Sequence, residues 1–204
     1  MMLSEVTPVP DAALPLEAFK AHLRLGTGFG ESGLQDTVLI GFLRASLAAI
    51  EKRTGKALLQ RDYLWSVTRL RRLDVIEMPL APVTAIVSLK KVADQNGETA
   101  LNTSDFWLEQ DSQTPRLHSK CGSFTALATG THLEVGFTGG MAADWDALPS
   151  DMAQAVLMLA AHYYEYREDT ALHGGCMPFG VASLIERYRL LRISAGAQSA
   201  GALS

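Results

Sequence analysis

The 204-residue sequence has few of the features that mark a membrane protein, a secreted protein or a nucleic-acid binder. No apolar run approaches the roughly 20 residues of a membrane-spanning helix, so we expect no contact with a membrane. The formal net charge is −4, whereas a general nucleic-acid binder clusters lysine and arginine against phosphates. The first residues lack the basic and apolar pattern of a signal peptide, which predicts an unprocessed cytoplasmic protein.

Cysteine is scarce as well. Cys121 and Cys176 are the only two, and they lie far apart in the chain. They could form one bridge, but their number and spacing favour free thiols in a reducing compartment. The hydrophobic content of 48% and the charged content of 20% are ordinary for a globular protein. A chain of this length therefore has ample apolar material for a core.

The sequence also lacks a set of residues that would support catalysis. No two of its five histidines have the i, i+4 spacing of a helical zinc site. His162 and Glu165 have the i, i+3 spacing of a carboxylate-bridged metal protein, but matching ligands on other helices are missing. His173 and Cys176 could form only half a metal site. We therefore predict no catalytic residue, no cofactor and no metal, and we interpret His162 and Glu165 as a surface pair.

Helical periodicity is the clearest positive signal. The segment Ala153–Glu168 is apolar over most of its circumference, so it must pack against several neighbours. Ser150 is a natural N-cap for this helix, with Asp151 in the first turn. The broad apolar stripe of residues 34–54 predicts the helical partner that this segment needs. In all, four helices are predicted, over residues 16–25, 34–54, 153–168 and 181–193.

Between the second and third helices, the hydrophobic period changes from helical spacing to alternation. Tyr63, Trp65 and Val67 alternate with more polar neighbours, which is typical of a half-buried strand. Asn96-Gly97 is a strong hairpin turn, because these residues tolerate positive φ angles. Strands are predicted over residues 62–68, 83–92, 106–108, 116–118 and 131–138. Several short strands separated by turns predict a small antiparallel sandwich or barrel.

The sequence thus predicts an α+β fold: a bundle of about four helices with a small antiparallel β sandwich or barrel inserted between helices 2 and 3. Residues 12–56 form the first half of the helical domain, 57–145 the inserted β domain and 146–193 the second helical half. The small and polar composition of residues 194–204 predicts a flexible C-terminal tail, because it has too little apolar bulk to fold alone.

Arginines and tyrosines supply the candidates for contact with other subunits. The run at 69–72 is either a solvated strand end or a site for bidentate pairing with carboxylates. We expect Tyr163 in the core, whereas Tyr164 and Tyr166 either reach a neighbouring subunit or pack within the chain. The predicted interface residues are Arg69, Arg71, Arg72, Tyr164, Tyr166, Arg167, Arg189, Arg192, Ser194, Gln198 and Ser204.

Three segments in order resemble the head–tail connector proteins of phages, also called adaptor or head-completion proteins. The first is Ala49–Leu58 (AIEKRTGKAL), at the end of the second helix. The second is Met78–Ile86 (MPLAPVTAI), followed by the Asn96-Gly97 hairpin. The third is Val135–Gly140 (VGFTGG), followed by Leu148-Pro149 and the helix that closes with YEYRE. Together they span nearly the whole chain, about Leu16 to Arg192. The chain is similar to the adaptor of a tailed phage or of a phage-derived gene transfer agent.

This resemblance implies a structural protein that forms a ring, typically of twelve copies, under the portal of a filled capsid. The ring would extend the DNA channel and present a surface to the next tail-side connector or stopper protein. Packaged double-stranded DNA would pass through without sequence-specific binding. Terminal segments of the family commonly engage the portal, which implies such a role for residues 194–204. The protein would lie in the cytoplasm during assembly and then in the particle neck.

One departure from the family and two alternative functions stay open at this stage. Relatives often carry an aromatic residue where this chain has Gly139-Gly140-Met141, so the exit from the last strand is undefined. A first alternative is a soluble module whose β domain recognises a ligand such as a sugar or peptide. A second, weaker alternative is a metal-dependent hydrolase that uses His162, Glu165 and His173.

Overall fold

The computed structural model describes residues 1–25, 33–70, 72–93, 97–120, 124, 127–167 and 177–189. Its α-helices are α1 (Leu16–His22), α2 (Gly33–Thr54), α3 (Ser150–Glu165) and α4 (Phe179–Ile185). Its strands are β1 (Met2–Glu5), β2 (Arg61–Val67), β3 (Val75–Glu77), β4 (Val83–Ala93), β5 (Gly97–Ala100), β6 (Phe106–Glu109), β7 (Arg116–Ser119) and β8 (Thr131–Gly139). Seven of these strands lie between α2 and α3, as the sequence predicts, and the fold is α+β.

The two long helices α2 and α3 pack against each other at the centre of the helical body. Their apolar side chains share one core with those of α1 and α4. Each of the four helices contributes at least one completely buried side chain to this core. These buried side chains include Phe19, Leu43, Ile50, Met152, Leu159, Val181 and Ile185. The predicted pairing of the second and third helices is therefore confirmed, because a helix that is apolar on most sides needs neighbours on most sides.

The helix ends differ from the prediction in detail. Ser150 is the first residue of α3 and not its N-cap, because Pro149 occupies the cap position and makes no side-chain capping bond. The φ angle of proline suits the entry to a helix, and the Asp151 carboxylate accepts the N–H of Met152. Helix α4 ends at Ile185 and continues as a 3-10 turn to Tyr188. The predicted end of this helix at Ile193 lies outside the described residues.

The strands form two antiparallel sheets. One sheet has five strands in the order β1-β2-β8-β4-β5, and the other has three in the order β3-β7-β6. Alternate residues of β2 are buried, and two of them, Tyr63 and Trp65, lie opposite Phe137 and Val135 of β8. Both sheets contribute to one core, since Leu117 of β7 is buried in the same cluster. The two antiparallel sheets that share this core are together called the β sandwich.

The predicted hairpin also forms. Strands β4 and β5 are antiparallel neighbours, with Ala93 opposite Gly97. Gly97 has a φ of 74°, which glycine adopts without the strain that other residues meet. Asn96 itself lies outside the described residues.

Strand β1 is an addition that the sequence pattern does not predict. It precedes α1 in the chain but pairs with β2 at the edge of the five-stranded sheet, with Met2 opposite Ser66 and Glu5 opposite Tyr63. Three of its four residues are exposed, so no buried face produces an alternating hydrophobic pattern. The β sandwich is therefore completed by a segment from before the first helix.

The exit from the last strand is defined by Gly140. Its φ is 150°, and a Cβ atom at this position would lie 2.4 Å from the Cα atom of Gln60. The chain therefore needs glycine where it leaves β8 and turns into the helical body. This close approach explains the glycine at position 140 of this chain.

No helix in the described ranges combines the length and the apolar content that spanning a membrane requires.

Candidate assembly surfaces

The predicted arginine run begins where β2 ends, at the tip of the β sandwich. Strand β8 starts at this tip and ends at the helical body, and its nine residues span about 26 Å. Arg69 is exposed and has no ion-pair partner among the described residues. Arg71 lies outside the described residues. Among the described residues of this run, Arg69 is therefore an exposed cation without a counter-ion, far from the helices.

Arg72 differs from Arg69, because it is paired within the chain. Its Nε atom lies 2.9 Å from Oδ1 of Asp74, two residues further on. The Asp74 hydrogen bond raises the pKa of Arg72, and the same bond lowers the pKa of Asp74. Because the local carboxylate offsets its charge, Arg72 offers less to a partner than Arg69 does.

A cavity of about 570 Å³ opens at the same tip. Its walls combine apolar and polar side chains from the segment that follows β2 and the segment that leads into β8. They comprise Thr68, Arg69, Leu70, Leu73, residues 127–131 and His132. Strand β1 starts nearby, since Met2 lies opposite Ser66. The tip is therefore a recess of mixed polar and apolar lining with Arg69 beside it, a composition that suits contact with another protein.

The predicted tyrosines lie at the far end of α3 and have different surroundings. Tyr164 meets Phe42 of α2 edge to face, with 6.1 Å between ring centroids. The Arg167 guanidinium lies 5.3 Å from the Tyr164 ring centroid. Tyr163 is half-buried against the helical core, and burial raises its pKa. Tyr163 and Tyr164 therefore both help to hold the helical body together.

Tyr166 is the exposed member of this group, with 48% of its surface accessible. Its ring lies 4.7 Å from the ring of His162. Phe179, at the start of α4, is the most exposed large apolar residue in the described part of the chain. Tyr166 and Phe179 are thus two exposed aromatic groups of the helical body, and only Tyr166 is among the predicted interface residues.

Two of the three suggested metal ligands, His162 and Glu165, lie in α3. His162 faces tyrosine rings, and His173 lies outside the described residues. Within the described ranges, no three His, Cys, Asp or Glu side chains are grouped in a way that could hold a metal ion.

The remaining predicted interface residues lie near the end of the chain. Arg189 pairs with Glu186, and its Nη1 atom lies 3.0 Å from both carboxylate oxygens. Both side chains are exposed, so this pair leaves Arg189 accessible. Arg192, Ser194, Gln198 and Ser204 lie outside the described residues.

The junction between the two bodies contains a charged cluster that the sequence analysis missed. The Nη2 atom of Arg61 lies 2.6 Å from Oε2 of Glu51 on α2 and 2.9 Å from Oε1 of Glu5 on β1. Burial disfavours the charged guanidinium, but the two carboxylates outweigh burial and raise the pKa of Arg61. Arg61 therefore connects α2, β1 and β2. No local signal marks it, because its partners are distant in the chain.

A second cavity, of about 360 Å³, lies at the same junction. Lys56, Met141, Arg187 and Tyr188 are among its lining residues. The Lys56 ammonium donates to the Ser112 carbonyl, and burial lowers its pKa. Arg187 is held by Asp151, with 2.8 Å between Nη2 and Oδ2. These cations therefore have partners within the chain and serve first to join the two bodies.

No protein-family model and no curated protein matches the chain. Three similar chains come from solved structures of gene transfer agent particles. One is from the neck of an empty particle, computed with C6 symmetry, and it is 45% identical with a TM-score of 0.85. Another, from the virion of a native particle, is 44% identical with a TM-score of 0.82. The third, from the neck of a native particle computed with C12 symmetry, is 41% identical with a TM-score of 0.80.

Each comparison covers 96% of this chain and 99% of the other. The similarity therefore includes both the helical body and the β sandwich. Because the relatives are components of particles, they confirm the expectation of a structural protein that is not an enzyme. This chain belongs to the head–tail connector family, with the neck proteins of gene transfer agents as its relatives.

Proposed function

We propose that this chain is the adaptor of a phage-like particle of the gene transfer agent type. Copies form a ring, of twelve members, under the portal. The ring extends the DNA channel and offers a docking surface to the next tail-side component. The observation that carries this proposal is the 45% identity to a neck chain over almost the full length of both proteins.

The symmetry of the relatives supports a ring. Their necks were computed with C6 and C12 symmetry, and cyclic assemblies are held by head-to-tail contacts that close. Such contacts require two different surfaces on each copy. The chain has distinct surfaces at the tip of its β sandwich and on its helical body, which supports separate contacts with the portal, the tail-side component and neighbouring copies.

The charge of the chain supports passage of DNA rather than its capture. Its formal net charge is −4, and a strongly basic channel would hold phosphates. We propose that the wall of the channel lacks a continuous lining of lysine and arginine. The protein would assemble from the cytoplasm and reside in the neck of the finished particle.

The test is to mix the purified chain with purified portal and measure particle mass by light scattering, with electron microscopy of the same sample. We expect a ring bound to the portal, with the chain alone as the control. A ring that forms only on the portal would agree with the proposal. A chain that stays monomeric and ignores the portal would contradict it and favour a soluble binding module.

A further inference from the structure

The five-stranded sheet has an open edge on each side, formed by β1 and by β5. Both strands are four residues long, and all four residues of β5 are exposed. Exposed edges are templates for pairing with another chain, and proteins usually protect them with lysine, proline or a bulge. Strand β1 has no lysine, proline or bulge, and its one charged residue, Glu5, is paired with Arg61. Met2 and Leu3 remain 68% and 41% exposed.

The backbone groups that are free on β1 follow from its pairing with β2. The N–H of Val6 donates to the carbonyl of Asp62 at 2.8 Å. Along an antiparallel strand, the backbone N–H and C=O groups of one residue point toward the partner strand and those of the next residue point away from it. In the observed register, Met2 and Ser4 therefore face β2, whereas the N–H and C=O groups of Leu3 and Glu5 point outward.

The backbone groups that are free on β5 follow from its pairing with β4. The N–H of Leu101 donates to the carbonyl of Leu89 at 2.9 Å. By alternation along the observed register, Thr99 faces β4, and the backbone groups of Glu98 and Ala100 point outward. Each edge thus offers two residues, spaced two apart, whose backbone groups are free to pair.

The directions of the two edge strands suit a ring. Five strands in an antiparallel sheet alternate in direction, so β1 and β5, the first and fifth, run the same way. When β1 of one copy meets β5 of the next, the two strands are therefore parallel. This contact joins two different surfaces of the same chain, which is the head-to-tail type that closes into a ring.

We propose that β1 of each copy pairs with β5 of the next copy, with Leu3 opposite Thr99, so that the five-stranded sheets join around the ring. Hydrogen bonds between parallel strands are slanted, so a residue does not bond to the residue directly opposite it. Its N–H and C=O groups bond instead to the two neighbours of that opposite residue. The free groups of Leu3 then meet those of Glu98 and Ala100. This inference rests on the ring in the proposed function.

The pleat of the two strands agrees with this register. Leu3 lies opposite Trp65, and both side chains are on the core face of the sheet. Thr99 lies opposite Lys91 of β4, and Lys91 in turn lies opposite the buried Leu133 of β8. Thr99 is therefore on the core face as well. Leu3 and Thr99 are therefore on the same face, as opposite residues in one sheet must be. A one-residue slip would break this agreement.

The dimensions are compatible with a neck ring. Five strands at about 4.8 Å spacing give about 24 Å of sheet per copy. Twelve copies would close a band about 290 Å in circumference and about 90 Å across at that spacing. Such a band leaves room inside for the helical bodies and a DNA channel.

Cysteine cross-linking tests this contact directly. The full chain would carry Leu3→Cys and Thr99→Cys, with Cys121→Ser and Cys176→Ser to remove the native thiols, and would be assembled on portal and oxidised. We expect a ladder of covalent oligomers on a non-reducing gel, because each copy would bond to two neighbours. The matched control pairs Leu3→Cys with Val87→Cys, an exposed residue of the interior strand β4, and should give no ladder.

Light scattering of the same samples separates this inference from the proposed function. A ring of normal mass in which the Leu3 and Thr99 cysteines cross-link no more than the control would overturn the strand pairing alone. Absence of any ring on portal would overturn both. Leu3→Pro gives a second readout, because it removes an outward N–H while the bonds to β2 stay intact. We expect Leu3→Pro to unfold at the wild-type temperature and to reduce ring formation at least tenfold, whereas Leu3→Ala should assemble. Normal rings from folded Leu3→Pro would contradict the pairing.

Discussion

Arg61 and Glu51 form an ion pair at the boundary between the helical body and the β sandwich. The Nη2 and Oε2 atoms are 2.6 Å apart, and the two side chains are only 7% and 15% exposed. Glu51 also accepts the backbone N–H of Leu58 at 2.8 Å. The Glu51 carboxylate at the end of α2 thus binds both the connecting segment and the first residue of β2. The ion pair therefore helps to fix the helical body against the β sandwich.

Removing Arg61 should therefore destabilise the whole chain. Arg61→Met leaves the Glu51 carboxylate with little water and without its cation, a change that costs about 3–5 kcal/mol in other buried pairs. Urea unfolding measures the loss. Arg72→Met is the matched control, because the Arg72–Asp74 pair is exposed and should change stability little. Equal effects of the two substitutions would show that the junction pair does not hold the bodies together.

Gly140 and Gly41 should respond to alanine in opposite directions. A Cβ atom on Gly140 would overlap the backbone of Gln60 at a φ that disfavours side chains. Overpacking and strain each cost about 1–3 kcal/mol, so Gly140→Ala should lose about 3 kcal/mol or fail to fold. Gly41 lies in α2 with open space around it, and Gly41→Ala should gain about 0.5–1 kcal/mol. Thermal unfolding of both variants checks the contrast.

Asp111 should make stability depend on pH in the acid range. Its Oδ1 atom accepts the backbone N–H groups of Thr114 and Gln113, which lowers the pKa of Asp111 from 3.8. A carboxyl with a lowered folded-state pKa stabilises the fold above its unfolded value and loses this effect as the pH falls through the folded-state pKa. Asp111→Asn should therefore be less stable than wild type at pH 7, and the difference should shrink as the pH falls below 3.8. Unfolding curves on both sides of this pH measure the change, and a pH-independent difference would refute it.

Tyr164 and Tyr166 should separate stability from assembly. Tyr164 packs against Phe42, so Tyr164→Ala should lower stability by at least the roughly 0.5–1.5 kcal/mol that an aromatic pair contributes beyond its buried area. Tyr166 is exposed, so Tyr166→Ala should unfold like wild type. We expect the exposed Tyr166 ring to contact a neighbouring copy, in which case Tyr166→Ala reduces ring formation on portal. Wild-type assembly of this variant would remove Tyr166 from the interface.

Deletion of residues 194–204 should leave the fold intact and weaken docking to the portal. The segment is small and polar in composition, so its removal takes little apolar material from either core. Co-sedimentation of the truncated chain with portal measures docking, and circular dichroism checks the fold. Undiminished docking would show that the segment has no part in portal contact.

The helices and most strands could be predicted because their signals are local. Helical spacing of apolar residues indicates α2 and α3, and alternation indicates β2 and β8. Strand β1 was missed because its exposed residues carry no such period. Strand β3 was missed because it has only three residues. A period cannot be recognised in so short or so exposed a segment.

The candidate surfaces were predicted less completely. The interface residues stay predictions, and their neighbours in the fold decide which of their side chains are accessible. Arg72 is paired with Asp74 and Tyr164 is packed against Phe42, whereas Arg69 and Tyr166 remain exposed. The Asp74 partner was visible two residues away in the sequence. The Phe42 partner was not, because it lies on another helix.

Residues within a few positions of one another account for the elements of this protein, for the absence of a catalytic motif and for its resemblance to connector proteins. Contacts across 50 residues or more in the chain decide the rest. Arg61 reaches Glu5, and β1 joins β2 across the whole of α1 and α2. The direction of the two free sheet edges follows from strand order alone. These features depend on which surfaces are brought together when the apolar faces are buried, and that choice is made by packing rather than by any single segment.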